Sequence, residues 1–93
     1  IDRVNDKSRG HWRVIMNQNN GGSSMGKIMI ATPDDTLGNI YAIPVGSKSE
    51  AQELKAHLES DEIRNLYAEI KPASKTTNSK KYFEYIPMPE GWN

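Results

Sequence analysis

The stretch Gly38-Asn-Ile-Tyr-Ala-Ile-Pro-Val-Gly-Ser-Lys-Ser-Glu-Ala-Gln-Glu-Leu-Lys-Ala-His-Leu58 changes its hydrophobic period part-way, and that change decides the fold class. Up to Val45 the residues are aromatic and β-branched, which reads as a strand over 38–45. Pro44 has no N–H to give to a ladder, so this strand ends there or lies at an edge. From Ser47 the period becomes 3.6. Ser47-Lys-Ser-Glu50 has the spacing of a capping box, in which a hydroxyl and a carboxylate satisfy the free amides of a helix start. Ala51, Leu54 and Leu58 then form one apolar stripe. Ser60-Asp-Glu62 interrupts it and places acids where a second helix dipole favours them. Ile63, Leu66, Tyr67 and Ile70 make a second stripe, closed by Pro72.

Towards the N-terminus, His11–Met16 reads as a strand and Lys27–Ala31 as another. Between them, Asn17-Gln-Asn-Asn-Gly-Gly-Ser-Ser24 has no apolar side chain and reads as a loop. Thr32–Thr36 has turn chemistry. Towards the C-terminus, Tyr82-Phe-Glu-Tyr-Ile86 reads as a fourth strand, ended by Pro87 and Pro89. Three strands, a helical pair and a returning strand give an α+β fold: a small mixed or antiparallel β-sheet with a two-helix hairpin packed on one face.

The 93 residues suffice for one core and no more. Residues 1–10 are polar and read as a linker or N-terminal extension, and 11–93 as a single domain excised from a longer protein. The absence of cysteine removes disulfides and thiolate chemistry and fits a reducing, cytoplasmic setting. No apolar run is long enough to span a bilayer. The net charge of zero hides a segregation. Residues 1–30 hold five basic and two acidic side chains, 31–70 three and eight, and 71–93 four and two. Such asymmetry can give a neutral domain a basic face.

Catalytic constellations are weak. His11 and His57 are the only histidines and do not share a metal-ligand spacing. Asp34 and Asp35 could suggest a divalent cation, but after Pro33 they read as a turn. The glycines match no phosphate-loop motif. His57 and Asp61, four apart, could share a helical face as a hydrolase pair, yet no nucleophile accompanies them.

Binding chemistry is better represented. Asn17, Gln18, Asn19 and Asn20 follow a strand that carries Arg13. Asn and Gln can bond bidentately to adenine edges, and Arg to guanine. Lys71, Lys75, Lys80 and Lys81, interleaved with hydroxyls and amides, suit phosphate contact, and so do Arg13 and Lys27. Composition alone favours two flexible, soluble loops.

The ordered runs Gly26-Lys-Ile-Met-Ile-Ala31, Gly38–Val45, Ser49-Glu-Ala-Gln-Glu-Leu-Lys-Ala-His-Leu-Glu-Ser60 and Ser79-Lys-Lys-Tyr-Phe-Glu-Tyr-Ile-Pro-Met-Pro89 carry a resemblance. Over residues 11–89 the chain resembles the C-terminal target-recognition segment of restriction-modification enzymes. Within that class it resembles particularly the adenine-specific DNA methyltransferases and fused restriction-methylation enzymes. The resemblance implies a DNA-binding domain that reads and positions double-stranded DNA while another domain of the parent chain flips and methylates the base. Its DNA contacts would be Arg13, Asn17, Gln18, Asn19, Asn20, Lys27, Lys71, Lys75, Lys80 and Lys81. The methyltransferase motif [DN]PP[YF] is absent from these residues, so S-adenosylmethionine, with Mg²⁺ where the parent is also a restriction endonuclease, would be held elsewhere. The alternative is a protein-interaction domain of a larger bacterial or phage protein, anchored by Trp12, Tyr41, Tyr85 or Trp92.

Overall fold

Alternation along Trp12-Arg-Val-Ile-Met-Asn17 sends side chains to opposite faces of a pleated strand, and over residues 13–16 both faces are buried. Such a strand belongs in the middle of a sheet. A computed structural model of the chain describes residues 10–17, 26–35, 40–71, 80–89 and 91–92, and in it this strand, β1 (Trp12–Asn17), is central. β2 (Ile28–Ala31) and β3 (Ile40–Val45) flank it in the order β2-β1-β3, both antiparallel. The register sets Met16 opposite Ile28 and Tyr41, and Val14 opposite Ile30 and Ile43. β3 is therefore an edge strand, where the missing donor of Pro44 is tolerated.

Val14, Met16, Ile28, Ile43 and Val45 project from one face of the sheet into the main core. Helix α1 (Lys48–Glu59) lies across all three strands on that face and contributes Ala51, Leu54 and Leu58, each fully buried. Burial of each leucine is worth roughly 1.5–3 kcal/mol. Ile15, Ala31 and Ala42 form a smaller cluster on the opposite face.

The start of α1 follows the sequence pattern with one shift. Ser47 Oγ accepts from the Glu50 amide at 3.1 Å, but Glu50 Oε1 accepts from the Gly46 amide, at 2.6 Å, one residue before the cap. Ser60 then serves two helices. Its Oγ donates to the His57 carbonyl at 2.7 Å, closing α1, and accepts from the Ile63 amide at 3.4 Å, opening α2 (Asp61–Ile70). The single residue between the helices is thus fixed from both sides.

The helix pair does not lie wholly on the sheet. Only α1 crosses the strands, whereas α2 packs on α1 and on the C-terminal segment. That segment corrects the strand expected over Tyr82–Ile86. Lys80–Phe83 forms a short helix, α3, continued by turns in which the Tyr85 amide donates to the Tyr82 carbonyl and the Ile86 amide to that of Phe83. Aromatic content favours strands only when a pleated, half-buried surface is available. Here Phe83 and Ile86, three apart, are buried at 0% and 1% exposure, while Tyr85 is 70% exposed. A strand would turn Phe83 and Tyr85 to the same side; a helical turn separates them.

Phe83 joins the layers. Its ring centroid lies 6.3 Å from Tyr41 on β3 and 5.0 Å from Tyr67 on α2, and Tyr82 meets Tyr67 edge-on at 6.3 Å. These separations lie in the favourable range for aromatic pairs. His57 Nε2 donates to the Pro87 carbonyl at 2.9 Å and ties the end of the chain back to α1.

Candidate nucleic-acid interface

Asn17 closes β1 and Lys27 immediately precedes β2, so the two flank the mouth of the β1–β2 hairpin. Both are exposed. Gly26, beside Lys27, has φ +82°, a left-handed conformation that glycine adopts without penalty. Tyr41, which pairs with Met16, stands at the same end of the sheet and holds Phe83 of α3. Lys81, two residues before Phe83, is exposed. Ring packing therefore brings the lysine-bearing turn to the end of the sheet from which the asparagine-rich hairpin leaves.

Two expected contacts are withdrawn from the surface. Arg13 is 3% exposed and points to the sheet face away from α1. Its Nη2 donates to the Thr32 carbonyl at 2.5 Å and to the Asp35 carbonyl at 2.7 Å. The same turn is closed by the Asp35 amide donating to the Thr32 carbonyl, at 3.1 Å, and by the Thr32 amide donating to Asp35 Oδ2, at 2.8 Å. Arg13 thus acts as an internal clamp on the turn after β2 and cannot reach a phosphate. The sequence reading missed this role; its one available signal was an arginine set inside an apolar strand run.

Lys71 is 1% exposed, and burial depresses its pKa. It follows Ile63 and Tyr67 at intervals of four, which places it on the buried stripe of α2. That spacing was visible in the sequence; the composition of the following loop obscured it. Gln18, Asn19, Asn20 and Lys75 lie outside the described residues, and of Lys80 only the backbone is described.

The remaining candidates sort as clearly. Asp34 and Asp35 occupy the turn clamped by Arg13. His57 Nε2 is engaged with the Pro87 carbonyl. Trp12, Tyr41 and Trp92 are half-buried against the core, whereas Tyr85 faces solvent. The acidic residues Glu50, Glu53, Glu59, Asp61, Glu62 and Glu69 are all exposed on α1 and α2. Among the described residues no helix is long and apolar enough to cross a membrane. No known family, curated protein or solved structure matches this chain.

Proposed function

We propose that this chain is the DNA target-recognition domain of an adenine-specific restriction-modification enzyme, holding duplex DNA for chemistry performed by another domain. The Tyr41–Phe83 contact supports this reading most directly, because it seats the lysine-bearing turn at the hairpin end of the sheet. Lys27 and Lys81 supply exposed cations there, and Asn17 opens the amide-rich hairpin. The acidic outer face of α1 and α2 repels a polyanion and leaves the hairpin end as the favourable approach. Arg13 and Lys71 have internal roles in this scheme, holding a turn and closing a helix.

A mobility-shift series against salt tests the reading. Affinity should fall steeply with salt, and Lys80→Ala with Lys81→Ala should reduce the logarithmic slope by about 1.8, near 0.9 for each phosphate no longer neutralised. An unchanged slope in the double variant would reject the assignment of the turn. Failure to shift duplex DNA at low salt, with the flanking domains present as well, would reject the function.

The exposure of Tyr85 favours one second reading, a protein-interaction domain with this ring as its anchor. A defined protein partner that no longer binds after Tyr85→Ala, without salt-dependent DNA binding, would support that alternative.

A further inference from the structure

Among the described residues one large hydrophobic side chain faces solvent, that of Tyr85, at 70% exposure. A single exposed apolar group needs no explanation by itself. Two observations set this one apart, and the first is that its backbone is held. The Tyr85 amide donates to the Tyr82 carbonyl at 3.3 Å, and the Ile86 amide to that of Phe83 at 3.0 Å. Phe83 and Ile86, on either side of the ring's attachment, are buried. The ring therefore projects from an anchored turn, and ordering it on a ligand costs only its own two torsions.

The second observation is the charge on the outer side of the same turn. Lys81, four residues before Tyr85, is exposed, and so is Glu84. Residues three and four apart on a helical turn are neighbours, so Lys81 stands beside both. A flat ring next to a cation fits a nucleotide, with its phosphate on the ammonium and its base on the ring. Glu84 repels phosphate, which keeps the backbone on the Lys81 side and leaves the base for the ring. A duplex covers both faces of each internal base, and its grooves present only base edges. The ring can therefore stack only where a base has left the stack or has no paired strand. We infer that Tyr85 is the stacking platform for an unpaired nucleobase, beside the phosphate that Lys81 contacts. This role rests on the DNA reading proposed above and names what the lysine-bearing turn takes. The unpaired base comes either from a single strand or from a duplex that has extruded one nucleotide, and the chemistry of the contact is the same.

Fluorescence anisotropy of the chain with three labelled DNAs tests it. The probes are a continuous duplex, the same duplex with one thymine opposite an abasic site, and the thymine-bearing strand alone. Tyr85→Ala should lower affinity for a probe with an unpaired base roughly five- to a hundredfold, the range for one base–aromatic stack. Its affinity for the continuous duplex and its salt slope should stay as in wild type, because no charge is lost. Tyr85→Phe keeps the ring face and should bind like wild type. With 5-iodouracil in place of the unpaired thymine, irradiation should join that base to Tyr85. A loss greater on the abasic duplex identifies an extruded base as the source, and a loss greater on the single strand identifies an unpaired strand. Binding of no probe at low salt, with the flanking domains present as well, removes the DNA reading and this role with it. Salt-dependent binding that Tyr85→Ala leaves unchanged on both unpaired probes overturns the stacking alone. So does a protein partner lost in Tyr85→Ala while affinity for all three DNAs is unaltered.

Discussion

The 3% exposure of Arg13 and 1% exposure of Lys71 show how little a residue's type says about its task. Arg13 places a charge under the sheet, where two turn carbonyls receive it. Replacing it with Met keeps much of the stem but leaves both carbonyls without that donor. The variant should lose about 1.5–3 kcal/mol in urea unfolding. Tyr67 is fully buried, and desolvation, reinforced by Tyr82 and Tyr41, raises its pKa well above the ordinary 10.0. A raised folded pKa means that the unfolded chain releases the proton first. This contribution to stability is complete below pH 10.0 and declines as pH rises towards the folded value. Lys71 has the opposite sign: its depressed folded pKa makes stability rise as pH approaches 10.5. Unfolding titrations across the alkaline range should therefore show a steeper loss above pH 10.0 in wild type than in Tyr67→Phe. Equal slopes would exclude Tyr67 as the source.

At the scale of elements, the helix starts and ends are governed by a few polar contacts. Ser60→Ala removes a hydroxyl that both closes α1 and opens α2, so it should cost about 1–2 kcal/mol, at the upper end for a helix cap. A cost near zero in thermal or urea unfolding would show that water replaces both hydrogen bonds. Gly46→Ala acts differently. A Cβ there would lie 2.8 Å from Glu50 Oε1, displacing the carboxylate from the Gly46 amide. The expected loss is about 1 kcal/mol, and it should largely vanish in a Glu50→Ala background, where no carboxylate is left to displace. The Lys55–Glu59 pair at 2.8 Å is a half-exposed i,i+4 bridge worth only about 0.3–0.5 kcal/mol. Capping at Ser47 was legible because local hydrogen bonding within four residues determines it, whereas at Ser60 only the acids of the following turn were read. The Tyr82–Ile86 segment was not legible, since the same aromatics suit either a pleated face or a helical turn.

For the whole molecule, the aromatic series Tyr41–Phe83–Tyr67–Tyr82 connects the sheet, α2 and the C-terminal turn. Phe83→Ala should therefore destabilise the fold by about 3–5 kcal/mol, the range for a buried aromatic. Tyr85→Ala, two residues on, should stay within about 0.5 kcal/mol of wild type because its ring faces solvent. Comparable losses at the two positions would contradict the helical turn. The same packing bears on the proposed DNA surface. If Phe83 seats the turn that bears Lys80 and Lys81, Phe83→Ala should weaken DNA binding without removing a charge.

The sequence by itself determined the α+β class, three of the strands, both capped helices and the turn at Thr32–Asp35. Each depends on periodicity or on hydrogen bonds between near neighbours, which a linear reading can follow. Tertiary structure alone decided that β1 is central, that α2 rests on α1 and the C-terminal turn, and that Tyr82–Ile86 is not a strand. It also decided which cations face water: Lys27 and Lys81 do, whereas Arg13 and Lys71 serve the interior. The physical reason is common to all of these. Burial depends on which distant surface covers a side chain, and partners such as Arg13 with Asp35, His57 with Pro87 and Tyr41 with Phe83 are set by packing across the fold.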